Sequence, residues 1–340
     1  MRKIKTMVEK NLRRPEITTE RTEDDKNFNL RPKSLDQFIG QNYIKSNLKT
    51  YIESAKKRKK NLDHIILYGP PGLGKTSLAH IISNEKNVNF HSTSGPAFTK
   101  KGDLVTLLSN LMDGDVLFID EIHRLPPIIE ETLYPALEDF KCDYVIGSGP
   151  SARVMQISIE KFTLIGATTR LGLLSRPLRD RFGIHLQLDF YETNDLAEII
   201  ILNSKKLNFS IDADAASEIA KRSRGTPRIA IRLLKRVIDF SIVDQLKIID
   251  ILTVKSSLKK MKIDFQGLDE MDRKYMKCIA LDFNGGPVGI ETISAALLEQ
   301  RDIIEDVIEP YLMQKGLVQR TSRGRILSKQ GLNHISNDEK

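Results

Sequence analysis

The segment that most constrains the fold is Gly69-Pro-Pro-Gly-Leu-Gly-Lys-Thr76, which meets the pattern Gly-x-x-x-x-Gly-Lys-Ser/Thr. The apolar run His64-Ile-Ile-Leu-Tyr68 precedes it and a helical pattern from Ser77 to Ile82 follows, so a strand, a loop and a helix are expected in that order. Gly72 and Gly74 allow successive backbone N–H groups to turn inward and form a concave nest for an anion. Lys75 brings a point charge to the outer phosphates, the Thr76 hydroxyl can ligate magnesium, and the helix N-terminus adds partial positive charge. A glycine-rich turn without a ligand is the bland alternative, and the flanking strand and helix argue against it. Nucleotide binding is the expectation.

Two further apolar runs, Val116-Leu-Phe-Ile119 and Phe162-Thr-Leu-Ile165, alternate with helical patterns between Leu30 and about Phe190. Short runs of this kind predict parallel strands buried on both faces of an α/β sheet, with phosphate sites at their carboxyl ends. The Val116 run ends in Asp120 and Glu121. Asp120 can hold a magnesium shell, and Glu121 can polarise an attacking water as general base. An adjacent Asp-Glu pair also argues against the small-GTPase type, whose water is positioned by glutamine. The Phe162 run ends in Gly-Ala-Thr168-Thr169-Arg170, where a hydroxyl could report the γ-phosphate. Leu178-Arg-Asp-Arg-Phe-Gly183 places arginines just past the sheet, and Gly225-Thr-Pro-Arg228 sits at a plausible helix start.

A length of 340 residues allows two or three domains. After the sheet region the pattern becomes helical from Asn194 to about Lys260, and a third unit starts near Leu268. That unit carries helical stretches from Ile290 to Leu298 and from Arg301 to Leu312. It ends in Gly316 to Leu327, which reads as a hairpin turning near Ser322 to Gly324. Lys141 to Glu160 reads as a second hairpin, inserted in the first domain, for which a purely structural role is the bland alternative. The 53 Lys and Arg exceed the 45 Asp and Glu by eight, which suggests an anionic partner such as nucleic acid. Cys142 and Cys278 are too few for a disulfide framework or a cysteine-rich zinc site. Neither a signal-peptide core in Met1 to Lys26 nor a run of about 18 apolar residues occurs, so a cytoplasmic location and no membrane contact are expected.

Together these segments resemble the RuvB family of AAA+ ATPases, the motors that drive branch migration of Holliday junctions. The resemblance runs from about Leu30 to about Leu332. Its most specific parts are Leu30-Arg-Pro-Lys-Ser-Leu-Asp-Gln-Phe-Ile-Gly-Gln41, Gly147-Ser-Gly-Pro-Ser-Ala-Arg153, Gly166-Ala-Thr-Thr-Arg170, Leu178-Arg-Asp-Arg-Phe-Gly183, Glu309-Pro-Tyr-Leu312 and Arg320-Thr-Ser-Arg-Gly-Arg325. Residues 1–27 mix both charges with few apolar anchors and read by composition as a mobile arm, and the resemblance implies an AAA+ large domain over 28–190, a small helical lid over 191–262, a winged helix over 263–334 and a tail over 335–340. Pro71, Gly72, Gly74, Lys75, Thr76 and Ser77 would hold ATP with Mg2+, and Leu30, Arg31 and Tyr191 would line the adenine side. Glu138, Asp139 and Phe140 match a stretch that contributes to the nucleotide pocket in the family. Thr168 would be the first sensor and Arg228 the second, on the lid. Arg181, chosen over Arg179, would be the finger that reaches a neighbour's ATP.

A finger supplied in trans is worth about 10³ to 10⁵ in rate and makes the subunit contact heterologous, which closes into a ring when the rotation permits. The family implies a homo-hexamer on double-stranded DNA at four-way junctions, RuvA docked on hairpin 141–160, a RuvC-type resolvase as an indirect partner, and roles in recombination, repair and the SOS response. Between Tyr311 and Lys329 the chain carries basic residues and no acid, whereas Glu299 to Glu309 is rich in carboxylates. DNA contact is therefore expected on the wing, at Arg320 and Arg325 first and Arg323 beside them. Ser322 stands where the family usually has proline, and the arm before Leu30 does not align. Two other readings share the core loops: a different AAA+ machine such as a clamp loader or initiator, and a nucleotide-switched DNA-binding module without turnover.

Overall fold

A computed structural model describes residues 30–146 and 153–338. The chain divides into two units, Met1–Arg31 and Pro32–Lys340; of the first, only Leu30 and Arg31 are described. The expected arm over 1–27, the hairpin turn over 147–150 and residues 339–340 lie outside the described residues.

The second unit begins with the helix Asn42–Arg58 and continues into β1 (Ile65–Tyr68), β2 (Phe90–Ser94) and β3 (Val116–Asp120). The hairpin β4 (Lys141–Ile146) and β5 (Arg153–Ser158) precedes β6 (Thr163–Thr168) and β7 (Ile184–Gln187). Five of these strands form one parallel sheet in the order β2-β3-β6-β1-β7. Alternate residues of β1 enter different cores. Ile65 and Leu67 pack with Leu48, Ile81 and Ile165, whereas Ile66 packs with Ile119, Leu133 and Leu164. A period of two with both phases apolar is what a strand covered by helices on both faces requires. The sequence missed β2 and β7 because they are edge strands: β2 is half-buried and β7 alternates buried with exposed residues.

The register aligns the strand ends that matter. Tyr68 lies opposite Thr168, and Ile119 lies opposite Gly166, so Gly69, Asp120 and Thr168 emerge at the same edge of the sheet. The inserted hairpin is antiparallel, with Lys141 opposite Ser158 and Ile146 opposite Arg153.

The lid contains helices Thr193–Lys206, Ala213–Lys221, Pro227–Val243 and Ile251–Lys260. It also holds a parallel pair, β8 (Ser210–Ile211) and β9 (Ile248–Ile249), which is too short to leave a periodic signal. Its apolar residues Ile200, Leu233 and Val254 join the same core as one face of the main sheet. Beyond it, helices Glu270–Lys277 and Ile290–Leu297 pack with β10 (Val318–Thr321) and β11 (Gly324–Leu327), which pair antiparallel around a separate core.

Two details of this last domain differ from expectation. The stretch from Arg301 is not one α-helix, because Ile304–Ile308 widens into a π-helical turn before Glu309–Gln314. Pro310 lacks the N–H that an α-helix would use there, which disrupts the regular ladder. The domain also runs past residue 334, since the helix Lys329–Asp338 puts Ile335 in the core.

Arg224, with φ +53°, joins the lid to the winged domain. Its Nε donates to the Gly267 carbonyl at 2.8 Å, and its Nη2 meets Asp269 at 3.1 Å and Asp272 at closer range.

Candidate functional site

The loop after β1 has the backbone its glycines were expected to supply. Gly72 and Gly74 have φ of +82° and +100°, and Gly74 opens the helix Lys75–Lys86. A Cβ on Gly72 would stand 3.0 Å from Arg228 Cβ, so crowding adds to the preference for glycine that φ already sets. The Arg228 N–H donates to the Gly72 carbonyl at 3.3 Å, which brings the lid onto the loop. Pro71, Thr76 and Ser77 are half-buried around it. Lys75 is buried, and its Nζ donates to the carbonyls of Gly69 (2.9 Å) and Pro70 (3.0 Å). Desolvation lowers its pKa, and Arg228 adds to that, while Asp120 and Glu121 pull the other way. Two carbonyls are a weak substitute for phosphate oxygens, so the ammonium is poised for a stronger anionic partner.

Tyr191 connects the same loop to the lid. Its hydroxyl donates to the Leu73 carbonyl at 3.2 Å, its N–H donates to Gly225 at 2.8 Å, and burial raises its pKa. Leu30 and Arg31 lie in the first unit.

Asp120 is the last residue of β3, and its Oδ1 accepts the Glu121 N–H at 3.0 Å. Glu121 takes a left-handed conformation, φ +47°, and starts the tight turn Ile122–Arg124 that folds His123 back toward β6. His123 Nδ1 lies 2.8 Å from Thr168 Oγ1 and 3.3 Å from Glu121 Oε2. Thr168 is fully buried, its carbonyl accepts the Gly69 N–H at 3.3 Å, and its Oγ1 accepts the Arg170 N–H at 2.9 Å. Lys75, Asp120, Glu121, Thr168 and Arg228 are thus gathered at one edge of the sheet. Among the described residues no group of three or more His, Cys, Asp or Glu forms a cation cage. The oxygen donors Thr76 and Asp120 fit a hard cation that takes its other ligands from phosphate and water.

Arg181 is elsewhere. Its Nη1 donates to the Pro177 carbonyl at 2.6 Å, its Nη2 pairs with Glu138 at 3.1 Å, and its guanidinium lies 4.4 Å from the Tyr134 ring centroid. Its buried Nε has no hydrogen-bond partner among the described residues. Glu138, Asp139 and Phe140 also stand apart from their own chain's loop. Phe140 meets Phe162, just before β6, at 6.1 Å, and the Leu137 carbonyl accepts from His64 Nε2, just before β1, at 3.2 Å. These contacts mark the amino ends of the strands, whereas the loop follows their carboxyl ends; a strand like β6 spans roughly 15–20 Å. Asp139 and Phe140 instead line a cavity of about 500 Å³ with Lys141 and Ser158 at the foot of the hairpin.

The wing corrects a second expectation. Arg325 is buried: its Nε donates to Glu309 at 2.7 Å and its Nη2 to Glu305 at 2.8 Å, while Tyr275 donates to Glu309 at 2.9 Å. It is a core cation and not a surface one. Arg320 is half-exposed and pairs with the same Glu305, while Arg323 is exposed at the turn. Burial pushes the Glu305 carboxyl up, but hydrogen bonds from Arg325 and Arg301 more than offset this and hold it below the usual range. Several carboxylates that the sequence presented as a repulsive helix face are therefore internally paired. Asp306 is another: it accepts from Arg170 Nε at 3.0 Å and so joins the winged domain to the strand end that carries Thr168. His123 and Arg224 carry no motif of their own, and for them, as for the pairing of Arg170 with Asp306, only contacts across distant segments reveal the role.

Three family models match consecutive segments: the Holliday junction DNA helicase RuvB P-loop domain over residues 30–188, the RuvB AAA lid domain over 191–264, and the RuvB C-terminal winged helix domain over 265–336. The chain belongs to the RuvB family. The Holliday junction branch migration complex subunit RuvB of Paramagnetospirillum magneticum is 52% identical over 319 residues, covering 94% of this chain and 92% of that protein. The solved Thermotoga maritima RuvB Holliday junction branch migration motor superposes with a TM-score of 0.84 at 50% identity, covering 91% of this chain and 98% of its own. A mutant of the same T. maritima RuvB gives the same score and identity over 90% of this chain. Family membership in all three segments disfavours the clamp-loader and initiator readings, which would share only the core loops. Among the described residues no helix is long and apolar enough to cross a membrane.

Proposed function

We propose that this RuvB-family chain is an ATP-driven motor that branch-migrates Holliday junctions by pulling duplex DNA through a ring of its own copies. The observation that carries the reading is the convergence of Lys75, Asp120, Glu121 and Thr168 at one sheet edge, closed by Arg228 from the lid. When ATP enters, Lys75 exchanges two carbonyls for the β- and γ-phosphates, and the N–H groups of Gly72 to Ser77 cradle the chain of phosphates. Bound by Thr76 and Asp120, Mg2+ would supply charge neutralisation on the phosphate oxygens. Glu121 orients the attacking water, Thr168 senses the γ-phosphate, and Arg228 carries the nucleotide state into the lid. Tyr191 serves the adenine side.

Arg181 completes the site of a neighbouring copy. Among the described residues its one carboxylate partner, Glu138, is partly exposed and its buried Nε has no hydrogen-bond partner, a surrounding that a phosphate oxygen would improve. Glu138, Asp139 and Phe140 accompany it on the neighbour-facing side. Such a contact is heterologous, and a hexamer is its closed form. Hairpin 141–160 serves as the RuvA dock, with a RuvC-type resolvase as an indirect partner in the cytoplasm. Arg323 and the half-exposed Arg320 hold DNA through phosphates, without reading bases.

With RuvA and ATP, the purified chain should dissociate synthetic four-way junctions, and Glu121→Gln should retain ATP but lose both hydrolysis and dissociation. Absence of dissociation at saturating ATP and RuvA would remove the function.

A further inference from the structure

Neither the loop chemistry nor the family match assigns a task to His123, which stands between Glu121 and Thr168. Its side chain is 8% exposed, and a single ring nitrogen, Nδ1, faces both the Glu121 carboxylate and the Thr168 hydroxyl. Desolvation by burial lowers the pKa of His123, with Arg170 and Arg124 adding to that and Glu121 and Asp306 opposing it. The ring is then neutral near pH 7 and carries one N–H. A carboxylate only accepts, so the hydrogen belongs on Nδ1.

That assignment fixes the polarity of the sensor. Thr168 Oγ1 receives a hydrogen from His123 Nδ1 at 2.8 Å and another from the Arg170 N–H at 2.9 Å. A hydroxyl has two lone pairs and one hydrogen, so both acceptor positions are used and only the hydrogen is left to give. We propose that His123 is a positioning residue that makes Thr168 an obligatory hydrogen donor to the γ-phosphate, its ring held in that polarity by the Glu121 carboxylate 3.3 Å from Nδ1. The inference rests on the reading of Glu121 as base and Thr168 as sensor.

The opposite polarity, with Thr168 donating to the ring, would spend the hydroxyl hydrogen before phosphate could use it. Substitution separates the two. The amide nitrogen of asparagine can stand near ring Nδ1, whereas that of glutamine reaches the place of Nε2. With full-length protein, His123→Leu and His123→Gln should lower kcat about tenfold or more, as expected when a group that aligns the reaction is lost. Binding of a fluorescent ATP analogue should change less than about threefold in both, and His123→Asn should keep kcat within about threefold of wild type. Thr168→Val should cost little more in the His123→Leu background than that variant has already lost, because the two act as one unit. Should His123→Leu fail to bind nucleotide, the contrast between Asn and Gln decides. A His123→Asn as slow as His123→Gln, or losses confined to nucleotide affinity, would overturn the proposal. Wild-type hydrolysis by Glu121→Gln would instead sink the assignment of the base, and the coupling of His123 to Thr168 would still be read from the double variant.

Discussion

Arg224→Met removes the cation that joins the lid to the winged domain and tests how firmly the two are coupled. Arg224 and Asp272 have side chains that are 9% and 1% exposed, and Asp269 stands 3.1 Å from the same guanidinium. Deleting one partner of a buried pair leaves the other charge unpaired and costs about 3–5 kcal/mol. For a domain of this size 1 kcal/mol shifts the melting temperature by roughly 4–8 °C, so the winged-domain transition should fall by about 12–40 °C.

The effect has a defined pH dependence. Burial raises the Asp272 carboxyl to about 6 even beside Arg224. Its folded pKa therefore exceeds the unfolded value of about 3.9, the folded state binds the proton more tightly, and stability from this group is lost as pH rises between about 4 and 6. Without Arg224 the carboxyl shifts higher still, so acid should rescue the variant and narrow its gap to wild type. Scanning calorimetry at pH 7.5 and 5.5 measures both effects, and Arg224→Met with Asp272→Leu should recover at least half of the loss. A single-variant loss below about 1 kcal/mol, or a double variant no better than the single, would refute the reasoning.

Other consequences are as specific. Arg323→Ala should weaken DNA binding across all sequences and reduce the log-log salt slope by about 0.9, read by fluorescence anisotropy between 50 and 200 mM salt. Arg325→Ala should instead destabilise the winged domain by about 3–5 kcal/mol by stranding Glu309, which thermal unfolding measures. Asp306→Asn loosens the bridge to Arg170, whose partners are about one-third exposed, so it should cost under about 1 kcal/mol of stability. Its visible effect should be weaker stimulation of ATPase by DNA with basal turnover retained, and unchanged stimulation would deny the bridge a part in coupling.

The parts of this molecule that were legible in the sequence are local. The loop before Lys75 and the strands ending in Asp120 and Thr168 each carry their signal within a few consecutive residues, because apolar runs and turn glycines are short-range features. The wing hairpin was equally plain from its turn. What local reading missed depends on partners far along the chain: Arg325 looked like surface charge until Glu305 and Glu309 were seen to enclose it. Edge strand β2, with sequence Phe-His-Ser-Thr-Ser, lacks the apolar run that full burial imposes on β1. Glu138 to Phe140 showed the reverse problem. Resemblance named them as nucleotide residues, and the contacts of Phe140 with Phe162 set them at the far end of the sheet from their own loop.

Mixing two inactive variants tests the shared catalytic seam most directly. Lys75→Ala disables a subunit's own loop, and Arg181→Ala disables what it offers its neighbour. Each alone should be inactive, whereas mixed assemblies on duplex DNA should regain ATPase at the interfaces that pair an intact loop with an intact Arg181. Activity that stays at the level of the separate variants at every mixing ratio would contradict a site built from two copies of the chain.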